Sequence, residues 1–307
     1  MIEAGLRRFA LIGFGEAGSI LGEELVAAGR EVAMYDILLD APASREEMRT
    51  KAHRARVRVA VTVEDAITHA QVVISAVTAS SSAEVAAEAA KFLRSGQVLL
   101  DINSVSPAKK RSNAAVVEAV GADYVEAAVM APVLPQRLRV PMLLGGKRAE
   151  ALAGDLRVIG MNTTAISPEV GVASAVKMCR SIVIKGLEAL TLESMLAARR
   201  FGAEREVLES LNGTFPNMGW TGKLPDYLVS RVAEHGRRRA AEMREVARTL
   251  EDVAMEPIMA LATAQRQDWL IDAMAAGRLA YSHGEPFSWR VMADALAGVE
   301  PPTGKTA

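Results

Sequence analysis

A chain of 307 residues with 36 Lys+Arg against 37 Asp+Glu carries a formal net charge of −1, which offers nothing to nucleic acid or to an anionic membrane surface. Half of the residues are hydrophobic and 4% aromatic, enough for two cores of an α-rich or α/β type, and no repeat or low-complexity tract interrupts them. A single cysteine, Cys179, excludes an internal disulfide and fits a reducing, cytoplasmic setting, and no run of about 18 charge-free apolar residues suggests a membrane helix.

Residues 8–12 (RFALI) read as a short buried strand that runs into a glycine turn rather than a signal-peptide cleavage site. The turn is Gly13-Phe14-Gly15-Glu16-Ala17-Gly18, followed by a helix that Gly29 stops. A second strand, residues 31–35, ends at Asp36, an acid about 20 residues beyond the turn. This is G-x-G-x-x-G in the strand, turn, helix, strand, acid context that a dinucleotide demands. Gly13 permits the tight turn, Gly15 lets the backbone approach a pyrophosphate, and Gly18 lets the helix pack on the strand. The helix start at Phe14, Glu16 and Ala17 then faces the phosphates. Asp36 accepts from the adenosine ribose hydroxyls and repels a 2′-phosphate, which favours NAD over NADP; FAD or a decayed site is the alternative.

Residues 37–55 are polar and read as a loop with a short helix. The rhythm then resumes with a strand at 57–61, a helix at 63–69 opened by Thr62, a strand at 71–77, and a helix at 80–93 stopped by Gly96. A strand at 97–101 leads to a helix capped by Ser106 and begun by Pro107. Strands at 123–127 and 141–144, a helix at 149–159 and a strand at 163–166 complete the pattern of a largely parallel, doubly wound α/β sheet. Ligands of such sheets sit at the carboxyl ends of strands, so the glycine turn, Asp36, Val77, Thr78, Asn103, Ser104, Met130, Ala131 and Pro132 are expected to ring one cleft.

Ser167 as N-cap, Pro168 at the first helical position and Gly202 after Arg199 and Arg200 delimit a helix of about 34 residues, roughly 50 Å long. It joins a nucleotide-binding domain, residues 1–166, to an all-helical domain, residues 167–307. The helix is apolar on most faces, and Cys179 reads as a small core residue. Lys177 interrupts the apolar run, with Arg180 and Ser181 one turn later, and is either a lysine snorkelling to the surface or a group that does chemistry. Beyond it come a helix at 204–211, a loop at 212–222 that suits either a lid or a packed Ω-loop, and helices at 225–250, 257–276 and 286–296. The tail, 301–307, is expected to fray. His235, Arg238, Arg239 and Glu242 form one helical stripe: a solvated face, or recognition of substrate by His235 and Arg239.

Several chemistries are excluded by residue type. His53, His69, His235 and His283 are scattered without metal-ligand spacing, and one cysteine cannot build a zinc site. Tyr35, Tyr124, Tyr227 and Tyr281 are followed four residues on by Leu39, Ala128, Arg231 and Glu285, so no Tyr-x-x-x-Lys pair exists. A nicotinamide domain still needs a proton-transfer group, and Lys177, entering from the joining helix, is the best placed. Apolar surroundings and a cationic nicotinamide lower a lysine pKa, which lets the amine act as a base at neutral pH.

GFGEAG with Asp36, DINSVSP at 101–107, EAAVMAP at 126–132 and GVASAVK at 171–177 follow the order and spacing of the β-hydroxyacid dehydrogenases, which this chain resembles. 3-Hydroxyisobutyrate and 6-phosphogluconate dehydrogenases belong to that family. KMCRSIVIKGLEAL and HGRRRAAEM further resemble its branch with a DUF1932 C-terminal domain. The resemblance implies an NAD- or NADP-dependent oxidoreductase acting on a small hydroxyacid, with Lys177 as acid/base and Asn103 and Ser104 in the substrate segment. It also implies a homodimer formed through the helical domains. Two departures bear on substrate. Ser181 stands where relatives carry an asparagine, and Met130-Ala131-Pro132 where they carry Ser-Gly-Gly, whose backbone donors hold a carboxylate; Pro132 has no N–H to give. Arg180 could hold that carboxylate in two parallel bonds, or pair with Glu242. The rivals are C=N reduction of the imine-reductase kind, which usually places an aspartate or tyrosine where Lys177 stands, and a non-catalytic dinucleotide sensor.

Overall fold

Short apolar runs separated by helical periods build a single sheet in the first half of the chain. The computed structural model describes residues 5–277, 279–282 and 286–297. In chain order come β1 (Arg8–Ile12), α1 (Glu16–Ala27), β2 (Glu31–Tyr35), α2 (Pro42–Arg54), β3 (Arg58–Val59), α3 (Val63–Ile67), β4 (Val72–Ser75) and α4 (Ser82–Ala90). They are followed by β5 (Val98–Asp101), α5 (Pro107–Glu118), β6 (Asp123–Val129), α6 (Val133–Gln136), β7 (Met142–Gly145), α7 (Ala149–Val158) and β8 (Thr163–Ser167). The strand order is β3-β2-β1-β4-β5-β6-β7-β8, and every pair is parallel except β6 with β7. Strands covered on both faces carry apolar residues at successive positions. Thus Leu11, Val72, Ile74 and Leu100 feed one core layer, while Ala10, Ile12, Val73, Leu99 and Tyr124 feed the other. The order reverses between β1 and β4, which places a topological switch point beside the glycine turn.

Among the described residues five helices follow: α8 (Val172–Phe201), α9 (Glu204–Thr214), α10 (Leu224–Glu251), α11 (Ile258–Ala276) and α12 (Trp289–Ala297). The chain divides into two compact units between Met178 and Cys179. The second unit has its own core around Leu192, Met195, Trp220, Val232, Leu270 and Trp289. Arg237, reaching Asp268 and Asp272, and Arg244, reaching Asp268, lace α10 to α11. Among the described residues no helix is long and apolar enough to cross a membrane.

Some element boundaries differ from the sequence expectation. The long helix begins at Val172, not after Ser167, because Ser167 is still paired with Gly145 in the sheet. Its hydroxyl oxygen accepts from the Glu169 N–H at 2.9 Å, so the Ser-Pro capping signal serves a turn instead. Gly171, at φ +110, makes the entry to α8 in a region that suits only glycine. The helix expected within the polar stretch at 37–55 is longer than a short one, since α2 takes up 13 residues of it, and the strand expected at 57–61 shrinks to the two residues of β3. Helix α9 continues through Asn212 and Gly213 to Thr214. In the remaining loop Trp220 is buried in the core, as for a packed loop rather than a lid. Helix α12 starts at Trp289, whose N–H donates to Asp226 Oδ1 at 2.9 Å, rather than at Pro286. The tail at 301–307 and His283 lie outside the described residues.

Candidate active site

The crevice at the carboxyl ends of β1 and β4 is floored by the glycine turn. Gly13 leaves β1 at φ +91, and a Cβ on it would lie 2.4 Å from the Ala76 carbonyl oxygen. A Cβ on Gly18 would lie 2.2 Å from the Gly13 carbonyl oxygen. Internal packing therefore demands both glycines. Gly15 differs: a Cβ there would meet no atom within 4 Å. It is the exposed N-cap of α1, and no side chain caps that first turn. The space at position 15 is open, and the room in front of the N–H groups of Glu16 and Ala17 fits a pyrophosphate.

Phe14 contributes through its backbone, since its ring is fully buried while its N–H donates to Asp36 Oδ2 at 2.6 Å. Asp36 Oδ1 accepts from the Leu38 N–H at 3.0 Å. The carboxylate expected at the ribose therefore also ties β2 to the glycine turn. Lys51 of α2, which no sequence pattern marked, donates to the carbonyl oxygens of Phe14 at 2.7 Å and Gly15 at 2.9 Å. A separation of 37 residues from Phe14, in a polar stretch read as a loop with a short helix, left no periodicity from which to find it.

At the next two strand ends Val77 is half-buried and Thr78 exposed. The Val77 N–H donates to Asn103 Oδ1 at 2.7 Å, and Asn103 Nδ2 donates to Ser75 Oγ at 2.9 Å. Asn103, buried, is thus a strut between the ends of β4 and β5. Below it Asp101 is a buried hub: Oδ1 takes the Asn103 N–H and Lys110 Nζ, each at 2.9 Å, and Oδ2 takes Tyr124 Oη at 2.6 Å. Burial, then the Asp101 charge, pushes the Tyr124 phenol well above its ordinary range, so it stays a donor. Ser104, half-buried, accepts from Lys177 Nζ at 2.6 Å. The lysine itself is half-buried rather than enclosed by apolar groups. Its helix is anchored by Glu126 of β6, which accepts from the N–H groups of Gly171 at 2.6 Å, Ala173 at 2.9 Å and Ser174 at 3.3 Å. A lone carboxylate within a run of apolar strand residues was the signal that could have marked Glu126.

The Met130 N–H donates to the Pro141 carbonyl oxygen at 2.9 Å, Ala131 is half-buried and Pro132 exposed. Arg180 is exposed and enters no ion pair among the described residues; Glu242, the partner weighed for it, takes Lys185 and Arg238 instead. Ser181 is buried. Arg239 is buried in a bidentate pair with Glu188, with Nε to Oε2 at 2.8 Å, and is already spent, whereas His235 and Glu242 of the same stripe are half-buried and Arg238 is exposed. Burial pushes the Lys185 amine down and the Glu188 carboxyl up, each against the attraction of its partner. His235 is half-buried with Nε2 3.3 Å from Glu234, its pKa lowered by burial and then by Arg231 and Arg238. Cys179 is exposed, not a core residue, because the face of α8 turned towards α10 carries Ser181, Lys185 and Glu188. Among the described residues no cluster of His, Cys, Asp or Glu could hold a metal ion.

Two family models match the chain: the NAD binding domain of 6-phosphogluconate dehydrogenase over residues 8–154, and a domain of unknown function, DUF1932, over residues 198–270. A conserved hypothetical protein from Sinorhizobium meliloti 1021 is 34% identical, with a TM-score of 0.77 over 96% of this chain and 97% of that one. A conserved protein of unknown function, whose solved structure is said to resemble 3-hydroxyacid dehydrogenases, is 32% identical, with a TM-score of 0.70 over 87% of this chain and 98% of that one. The mitochondrial 3-hydroxyisobutyrate dehydrogenase of Homo sapiens is 25% identical over 213 residues, which are 68% of this chain and 62% of that enzyme.

Proposed function

We propose a hydroxyacid dehydrogenase, and the premise is membership: the chain belongs to the β-hydroxyacid dehydrogenase superfamily, in its DUF1932 branch. It is of the NAD(P)-dependent dehydrogenase/reductase type. The observation that carries the finer reading is the 2.6 Å bond between Lys177 Nζ and Ser104 Oγ at the carboxyl end of β5. Oxidation of a secondary or primary alcohol removes a hydride from carbon and a proton from oxygen. A nicotinamide dinucleotide held by the glycine turn supplies the hydride acceptor. Lys177 takes the hydroxyl proton and, in the reverse direction, returns it. Ser104 holds the amine in place through a neutral partner, so the lysine can exchange a proton without breaking an ion pair to that residue.

The substrate's carboxylate is not held as in relatives with Ser-Gly-Gly, because the Met130 N–H is spent on Pro141 and Pro132 has none. Arg180, one helical turn beyond Lys177 and without an ion pair among the described residues, is the guanidinium that takes it. NAD is the cofactor, on the charge at Asp36, and the single cysteine fits the cytoplasm.

The test is a panel of hydroxyacids and sugar acids offered to the purified protein, read by NADH formation, beside Lys177→Ala. The variant should lose turnover by about 10²–10⁴-fold while its NADH affinity stays that of the wild type. Retained turnover in Lys177→Ala removes the acid/base assignment. A wild type that binds NADH but oxidises nothing on the panel supports a sensor instead.

A further inference from the structure

Two buried carboxylates stand side by side in the sheet. Asp101 of β5 and Glu126 of β6 are register partners on parallel strands, so their side chains leave the same face. They are 1% and 0% exposed. The charge on Asp101 is answered by Lys110, and its Oδ1 also takes the N–H of Asn103, the residue before Ser104. Glu126 is answered differently, by the three backbone N–H groups at the entry of α8. Those donors are the ones a helix leaves without intrahelical partners, and they carry the positive end of its dipole. Gly171 has no side chain with which to cap them, so a carboxylate on a neighbouring strand does the work of an N-cap. Lys177 follows Gly171 by six residues, about 9 Å of helix, too short a lever to absorb a shift at its base.

We propose that Glu126 is the positioning residue for Lys177: by holding the first turn of α8 to β6, it sets the lysine amine against Ser104, whose own segment Asp101 holds from the adjacent strand. The inference rests on the assignment of Lys177 as the proton-transfer group, but its test needs no substrate. A cap that only stabilised the fold would lower the melting temperature and leave the environment of Lys177 alone. A positioning cap changes that environment, and does so through the contact with Ser104.

Trace acetylation by acetic anhydride across a pH series, read by mass spectrometry of the Lys177 peptide with exposed Lys91 as internal standard, separates the two. Ser104→Ala and Glu126→Gln should each change the labelling of Lys177 relative to Lys91 by about fivefold, and the double variant no more than Ser104→Ala alone, since both changes remove one contact. Glu126→Asp, which keeps the charge on a shorter stem, should fall between Glu126→Gln and wild type. Wild-type labelling in a folded Glu126→Gln overturns the proposal, as do effects of Ser104→Ala and Glu126→Gln that multiply. Should Glu126→Gln not fold, Glu126→Asp with and without Ser104→Ala carries the same comparison and is judged in the same way. Labelling that ignores Glu126 leaves the dehydrogenase reading intact, and a panel with no oxidised substrate leaves the labelling result intact.

Discussion

A carboxylate beside a cofactor can act in two ways, by what it accepts and by what it repels, and Asp36 is placed to do both. Its oxygens already take the Phe14 and Leu38 N–H groups, yet each oxygen keeps a lone pair for a ribose hydroxyl. Tyr35 next to it reports the local field: burial, a hydrogen bond to Asp40, and the charges of Asp40, Asp36 and Glu88 push its phenol up to about 12. A 2′-phosphate would enter that field against repulsion. The cations nearby are engaged, Lys51 with the Phe14 and Gly15 carbonyls and Arg45 with those of Leu39 and Asp40. NADH should therefore bind more tightly than NADPH by about tenfold, equivalent to about 1.4 kcal/mol, and Asp36→Ser should narrow the ratio. The ratio is the informative quantity, because loss of the Phe14 bond weakens the turn for both cofactors. Fluorescence titration decides it, and tighter NADPH binding by the wild type rejects the assignment. At this scale spacing along the chain marked the glycine turn and Asp36, while the expected roles of Ser104 and Lys177 came from the family resemblance. Lys51 was not marked, and the apolar run around Glu126 marks a lone carboxylate without telling what it holds: each acts on residues far away in sequence.

Helical periodicity says which residues share a face but not which face turns inward, and α10 illustrates the difference. His235, Arg238, Arg239 and Glu242 do lie along one side of the helix, as their spacing requires. That side faces the polar turns of α8, where Lys185 meets Glu242 and Glu188 meets Arg239 in antiparallel register. Polar composition suggested solvent; a complementary set of charges on another helix, not detectable from α10 by itself, buries Arg239 and half-buries Glu242 while Arg238 stays exposed. Burial opposes the charge of Lys185 and of Glu188, so the network is held by mutual pairing rather than by any favourable transfer of ions from water. Arg239→Met should accordingly cost about 3–5 kcal/mol, because it leaves Glu188 buried and unpaired, whereas Glu188→Leu with Arg239→Met should recover most of that loss. Urea unfolding of the three proteins measures both steps. A single variant as stable as the wild type would mean that the pair is not desolvated. The start of α8 carries a related lesson. The Ser167-Pro168 signal is a sound local cap, but pairing of Ser167 with Gly145 on β7 overrides it, and the helix waits for Gly171.

At the scale of the whole molecule, the order of strands and helices was readable because each βα period is a local pattern, while the helical half gave lengths without partners. One feature of that half concerns a second copy of the chain. Helices α8 and α11 lie alongside each other, with Glu193 bonded to Arg266 at 2.6 Å and Thr263 Oγ1 3.9 Å from the Cβ position of Gly186. Their outer sides carry Val183 and Leu190, seven residues apart on α8 and 68% and 58% exposed, and Ile258, Met259 and Leu261 on α11, at 62%, 52% and 43%. Large apolar side chains left exposed on these two helices are of the kind that an interface covers. Fully covered, each would contribute about 1.5–3 kcal/mol, comparable in sum to the cost of bringing two chains together. The homodimer that the family resemblance implies would cover these side chains with the same residues of a second copy across a two-fold axis. Sedimentation velocity at micromolar concentration should give a dimer for the wild type and a monomer for Val183→Glu with Leu190→Glu. Both should bind NADH alike, because the glycine turn belongs to the other compact unit. A wild type that sediments as a monomer throughout, or a double variant that remains dimeric, would place the contact elsewhere or nowhere.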